Sequence, residues 1–141
     1  MKIQFDHVGW ITEDVTLFED FWCKILEFKC FHQSSKETTE PLLKKVLDLS
    51  IGADIRKYKR EDTDLQIEVY VPPYDAVTNF GPSEFQKGIH HVCLHVECIT
   101  SFLESIPKNV TVNIYNNPGG WRNVFIFDFE GNRIEIRETL R

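Results

Sequence analysis

A stretch near the start of this chain returns 84 residues later. Asp6-His7-Val8-Gly9-Trp10-Ile11-Thr12-Glu13-Asp14-Val15, running on into Leu17-Phe18-Glu19, is matched by His90-His91-Val92-Cys93-Leu94-His95-Val96-Glu97-Cys98-Ile99, running on into Ser101-Phe102-Leu103. At that offset His7 falls on His91, Val8 on Val92, Glu13 on Glu97 and Phe18 on Phe102. A self-match of this kind means that one supersecondary unit occurs twice, so the chain must fold as two like halves. Each half also closes on a shared element, Leu65-Gln66-Ile67-Glu68-Val69-Tyr70 in the first and Asn132-Arg133-Ile134-Glu135-Ile136-Arg137 in the second. Glu68 and Glu135 stand 67 apart, so the first half carries 17 additional residues, placed in the polar stretch 34–40 and the following 41–53.

Local pattern assigns the elements. The opening segment of each half alternates in character and runs into an amphipathic stretch, which is a strand followed by a helix. In the first helix Asp14 or Thr12 serves as N-cap, and Leu17, Phe18, Phe21 and Ile25 recur at helical spacing. In the second, Ile99, Phe102 and Ile106 share a face before Pro107 ends the helix. The closing elements alternate polar and β-branched residues, as half-buried strands do. The first module spans about 3–71, a connection marked by Pro72, Pro73, Gly81 and Pro82 spans about 72–88, and the second module spans about 89–138.

Strand periodicity of two then sorts side chains into faces. Val8 and Trp10 pack on the first helix and His7 points the other way; Val92, Leu94 and Val96 are the core set of the equivalent strand, with His91, Cys93 and His95 opposite. Ile67, Val69 and Val71 pack inward while Gln66, Glu68 and Tyr70 face away, and Ile134 and Ile136 pack while Arg133, Glu135 and Arg137 face away. Each half thus presents one His and one Glu on the sheet face that its helix leaves open. Two imidazoles and two carboxylates suit a divalent transition metal with positions left for substrate. A carboxylate on a concave sheet face is costly unless a cation compensates it. His90, on the opposite strand face from His91, and His32 are read as structural, whereas His95 shares the open face but has no counterpart in the first half.

Composition bounds the rest. A chain of 141 residues, 42% hydrophobic and 27% charged, has the make-up of a globular protein. A net charge of −6 argues against non-specific nucleic-acid binding. No apolar run reaches signal-peptide or membrane-spanning length, so a soluble cytoplasmic protein is expected, without a membrane partner. Cys23, Cys30, Cys93 and Cys98 form no CxxC pair and are expected as packed free thiols.

The residues quoted resemble the vicinal-oxygen-chelate (glyoxalase/bleomycin resistance/dioxygenase) superfamily over nearly the whole chain. Asp6-His7-Val8 through Phe21-Trp22 to Ile25-Leu26-Glu27-Phe28 looks like the family's opening strand and helix, with Glu27 where the family has the Gly that ends the helix. Phe127-Asp128-Phe129-Glu130-Gly131-Asn132-Arg133-Ile134-Glu135-Ile136 resembles its closing hairpin. The resemblance implies an α+β domain over residues 1–141, built of two tandem βαβββ modules that form a cupped eight-stranded mixed sheet with helices on the outer face. It implies one divalent metal ion (Zn, Ni, Co, Mn or Fe) on His7, Glu68, His91 and Glu135, a small-molecule substrate and a homodimer. Gly88-Ile89-His90-His91-Val92-Cys93-Leu94-His95-Val96 looks most like methylmalonyl-CoA epimerase, and glyoxalase I (lactoylglutathione lyase) has a similar ligand set. Ser50 falls where epimerases carry a second catalytic carboxylate, with Asp48 and Asp54 as neighbouring candidates.

The implied activity is that of a metal-dependent isomerase or lyase. The metal stabilises the enolate of a small carbonyl or thioester substrate, and a carboxylate, Glu135 first and Glu68 next, moves the proton. Arg122, beside Gly119-Gly120-Trp121, is a candidate for an anionic substrate group. A non-haem iron dioxygenase would use two His and one Glu with open sites, and a non-catalytic binding or resistance protein would need no ligand set.

Overall fold

The computed structural model of the chain describes residues 6–47, 51–73, 90–116 and 122–138. The chain divides into two compact units, Met1–Asn79 and Phe80–Arg141. The first unit runs β1 (Val8–Ile11), α1 (Val15–Trp22), β2 (Lys29–Ser34), α2 (Lys36–Val46), β3 (Asp54–Lys59) and β4 (Gln66–Val71). The second runs β5 (Val92–Val96), α3 (Ile99–Ser105), β6 (Thr111–Asn116), β7 (Arg122–Phe127) and β8 (Arg133–Glu138). The eight strands among the described residues form two four-stranded mixed sheets of one topology, β1-β4-β3-β2 and β5-β8-β7-β6. β1 runs parallel to β4, and β5 to β8, whereas the other neighbours are antiparallel. A hairpin cannot join parallel neighbours, so each opening strand leaves its sheet through a helix and meets its partner only at the end of the unit.

α1 is short and its start is well defined. Asp14 caps it, its Oδ1 accepting from Thr16 N at 2.8 Å and Leu17 N at 3.4 Å. Phe18, Phe21 and Trp22 are buried, Trp22 with ring centroids 5.4 Å from both Trp10 and Phe28, and Phe18 5.0 Å from Tyr58. Each such buried aromatic stabilises the fold by about 1.5–3 kcal/mol. The expected stripe is corrected at its edges: Leu17 is exposed, and Ile25 lies in the turn beyond the helix, because α1 ends at Trp22. Glu19 Oε1 ties α1 to the sheet, accepting from Arg56 Nη1 at 2.7 Å and the Tyr58 hydroxyl at 2.8 Å. The turn after α1 closes with Phe28 N donating to Trp22 O at 2.9 Å, and Glu27 takes φ 60° there, the left-handed conformation that explains a glycine in its place.

The additional length of the first half is largely α2, so this unit is βαβαββ where βαβββ was expected. Pro41 inside α2 removes one helical hydrogen bond, and tertiary packing compensates. Leu43 is buried in a cluster with Ala53 and Ile55, against which Tyr70 packs. Asp54 Oδ1 accepts from Lys36 N at 2.7 Å at the helix start, and Thr39 Oγ1 donates to the Ala53 carbonyl. Arg56 and Tyr58 reach α1, whereas Ile55 and Tyr70 meet α2, so the two helices lie on opposite faces of the first sheet. The expectation that helices stay on one face is corrected for α2.

In the second unit Val124, Ile126, Ile134 and Ile136 are fully buried together with Ile99 of α3. Val92, Leu94 and Val96 are half-buried. The turn between β7 and β8 is held by Asp128, whose Oδ1 accepts from Glu130 N and Asn132 N at 3.0 and 2.8 Å, with Gly131 at φ 85°. All four cysteines are free, as expected, but Cys30, Cys93 and Cys98 are exposed and only Cys23 is half-buried. Among the described residues no helix is long and apolar enough to cross a membrane.

Candidate functional site

In the first unit His7 lies one residue ahead of β1, and Glu68 sits at the middle of β4 beside Gly9 in the parallel register. His7 Nε2 faces Glu68 Oε1 at 4.0 Å. Glu68 is a buried carboxylate with its own retinue. Lys57, its antiparallel register partner on β3, places Nζ 2.7 Å from Oε2, and the Tyr70 hydroxyl donates to Oε1. Burial pushes the Glu68 carboxyl up, but Lys57, Tyr70 and His7 outweigh it and hold the group below the usual carboxylate range. Tyr70 answers in kind: burial and the adjacent carboxylate push its hydroxyl up to about 12.

Glu68, Lys57 and Tyr70 also line a cavity of about 360 Å³ whose apolar wall is Leu42, Leu43, Val46 and Leu47 of α2 with Ile55 of β3.

The second unit repeats the pair. His91, one residue ahead of β5, places Nε2 3.2 Å from Oε2 of Glu135, which is buried on β8 beside Cys93. Arg137, two residues on along the same strand face, donates from Nε to Glu135 Oε1 at 2.9 Å. Burial raises the Glu135 carboxyl, while Arg137, Cys93 and His91 outweigh it and keep the group ionised at neutral pH. Cys93 is exposed overall, but partial desolvation of its thiol on the sheet face first, and then Glu135, raise that thiol. The His91 ring meets Phe125, the register partner of Glu135 on β7, edge-on at 5.4 Å.

Of the four residues singled out from the sequence, the structure brings His7 to 4.0 Å from Glu68 and His91 to 3.2 Å from Glu135. Tyr70, Cys93 and Arg137 had been placed on the same open faces by periodicity, but not as partners of the carboxylates. Lys57 left no signal, because its role depends on the register of β3. Arg122 is exposed and donates from Nη2 to Thr100 Oγ1 at 3.1 Å. Asp54 is occupied with the start of α2, and Asp48 and Ser50 lie outside the described residues. His32 hydrogen-bonds Ser34 at 2.9 Å within β2, and His95 is exposed on β5. His90 is corrected: β5 begins at Val92, so His90 is not on an opposite strand face, and its Nδ1 stands 3.0 Å from Nδ1 of His91.

The donor chemistry fits a divalent ion. Two donors at about 2.0–2.2 Å from one ion stand roughly 2.8–3.6 Å apart at octahedral or tetrahedral angles. The His91–Glu135 separation of 3.2 Å falls inside that range, and the His7–Glu68 separation of 4.0 Å lies outside it by roughly 0.4 Å. Within each unit the gathering stops at this pair: among the described residues no three of His, Cys, Asp and Glu stand close enough together to hold an ion.

No family model and no curated protein matches the sequence. Solved structures do match the fold. A glyoxalase family protein from Bacillus cereus superposes with a TM-score of 0.74 at 17% identity, over 100% of this chain and 97% of that one. The trypanothione-dependent glyoxalase I of Leishmania major gives 0.68 at 15% identity, over 97% and 87%. An antibiotic-binding protein from a Streptomyces strain gives 0.62 at 14%, over 99% of each chain. At these identities the likeness shows the fold alone: the chain shares the fold of these glyoxalase-type and antibiotic-binding proteins.

Proposed function

On this fold, we propose a metal-dependent lyase or isomerase that moves a proton at a carbon next to a carbonyl, epimerase-like in the manner of methylmalonyl-CoA epimerase, with glyoxalase I-like chemistry as the alternative. The observation that carries the reading is the recurrence of one His–Glu pair at the same topological place in both units. His7, Glu68, His91 and Glu135 would hold one divalent ion. When bound, that ion supplies Lewis-acid polarisation of the substrate carbonyl, which acidifies the neighbouring C–H.

Glu135 is the proton acceptor in this reading, and Glu68 the second. Arg137, Cys93 and His91 keep Glu135 ionised and therefore able to accept, yet the same contacts make it a weak base. Such a base needs an acidified substrate carbon, which is why carboxylate and ion belong to one mechanism. The α2 wall of the cavity suits an apolar substrate arm with its carbonyl end towards Glu68. Arg122, exposed near the start of β7, is proposed to meet an anionic substrate group. Assembly as a homodimer in the cytoplasm belongs to the same proposal, and light scattering at micromolar concentration checks it.

One observation favours a second reading, a binding protein without chemistry. Each carboxylate already has a cation, Lys57 on Glu68 and Arg137 on Glu135, so neither depends on a metal for compensation. Elemental analysis of protein purified without added metal separates the two. The enzyme reading expects one ion per chain, lost in His91→Ala, and turnover of methylmalonyl-CoA or of the methylglyoxal–glutathione adduct. Protein that takes up no ion and turns over neither compound sinks it in favour of binding.

A further inference from the structure

The two imidazoles share more than a facing carboxylate. His7 Nδ1 donates to Asp6 Oδ2 at 2.7 Å, and His91 Nδ1 stands 3.0 Å from His90 Nδ1, with the two rings crossed at 87°. Asp6 and His90 are themselves 84 residues apart, the offset that relates His7 to His91. In both units, therefore, the residue just before the histidine engages Nδ1, and the far nitrogen, Nε2, faces the buried Glu.

The chemistry of the two holders differs in an informative way. A carboxylate only accepts, so Asp6 requires hydrogen on His7 Nδ1, and a neutral ring then carries its lone pair on Nε2. The 4.0 Å from Nε2 to Glu68 Oε1 is too long for a hydrogen bond, in keeping with an Nε2 that bears no hydrogen. An imidazole can donate or accept at Nδ1, so His90 can serve His91 in either tautomer.

We propose that Asp6 and His90 are the positioning residues of the site. Each fixes the orientation of the histidine that follows it by holding Nδ1, and Asp6 also fixes the tautomer of His7. This rests on His7 and His91 being donors to a divalent ion, where partners on the second ring nitrogen commonly account for a 10–100-fold change in metal affinity (about that range). The repeat hid this role in plain view, because at position 90 it replaced a carboxylate by an imidazole and so disguised the equivalence.

The test has two readouts on the full chain. In the metal-free protein, long-range proton–nitrogen NMR of the imidazoles reports the tautomer. Asp6→Ala is expected to move His7 from hydrogen on Nδ1 to a mixture of tautomers, and Asp6→Asn, whose side-chain oxygen still accepts, to restore the wild-type signature. In parallel, Zn²⁺ alone is titrated against a chromophoric chelator. Asp6→Ala and His90→Ala are each expected to weaken Zn²⁺ by about 10–100-fold with unchanged circular dichroism, while Asp6→Asn and His90→Gln recover most of the loss. An unchanged His7 tautomer in Asp6→Ala, or wild-type Zn²⁺ affinity in both alanine variants, overturns the inference. If the wild type takes up no Zn²⁺ but the tautomer still shifts, the proposed function fails while Asp6 stands as the residue that positions His7.

Discussion

Replacing Gly52 with alanine tests how α2 is held over the Glu68 face. A Cβ at residue 52 would lie 2.6 Å from the Lys36 carbonyl oxygen, 2.9 Å from Glu40 Cβ and 3.3 Å from Glu40 Cα. Attractive contact between such atoms begins at about 3.5 Å, so helix and loop would have to part by roughly 0.9 Å. Neither side yields easily, because the atoms met are in or next to the helix backbone, and the neighbouring contacts Lys36 N to Asp54 and Thr39 to Ala53 O clamp the helix in place. Overpacking of this kind costs about 1–3 kcal/mol. Breaking the two clamping hydrogen bonds at about 1 kcal/mol each leads to the same range. With about 2–4 °C per kcal/mol for a chain near this size, the melting temperature should fall by about 2–12 °C. The assay is paired thermal and urea denaturation against Gly9→Ala, where the new Cβ meets only Tyr70 Cε2 at an ordinary 3.8 Å and stability should stay within about 0.5 kcal/mol of wild type. Should Gly52→Ala melt with the wild type, or cost no more than Gly9→Ala, the account of α2 as a tightly seated wall is refuted.

Glu27→Gly should stabilise the chain by about 0.5–1 kcal/mol in urea denaturation, because it relieves the left-handed backbone at φ 60°, whereas Glu27→Ala keeps the strain; equal midpoints for the two variants would count against the strain. The folded-state carboxyls of Glu68 and Glu135 lie below their ordinary value of 4.5, so the stability they contribute is present above that pH and is lost as pH falls through the lowered folded values. Lys57→Met should therefore destabilise the protein at neutral pH and converge on wild type in acid, where protonated Glu68 needs no cation; a stability gap that is constant from pH 7 to pH 3 would show that Lys57 does not act through Glu68.

What could be read from the chain alone was whatever local periodicity encodes. The alternation through Ile67-Glu68-Val69 and Ile134-Glu135-Ile136 placed each Glu on one face of its strand, because successive strand side chains must point to opposite sides; His7 and His91 lie one residue ahead of their strands, so for them only the repeat carried the reading. The buried halves of those strands followed for the same reason, and so did the cap at Asp14, which depends only on the residues just after it. The left-handed turn at Glu27 was visible only as a departure from a glycine.

Tertiary structure decided the rest, and the reason is register. That Lys57 stands across from Glu68 depends on how β3 pairs with β4, and no local pattern states a register. α2 exists around Pro41 because Leu43 finds Ala53, Ile55 and Tyr70 and Asp54 holds its first turn, contacts that reach well along the chain. His90 misled the alternation argument because β5 begins two residues later, at Val92, and a period of two has no force outside a strand. The sequence could say which residues share a face; only the packed sheets could say which cation, hydroxyl or imidazole each carboxylate and histidine would meet there.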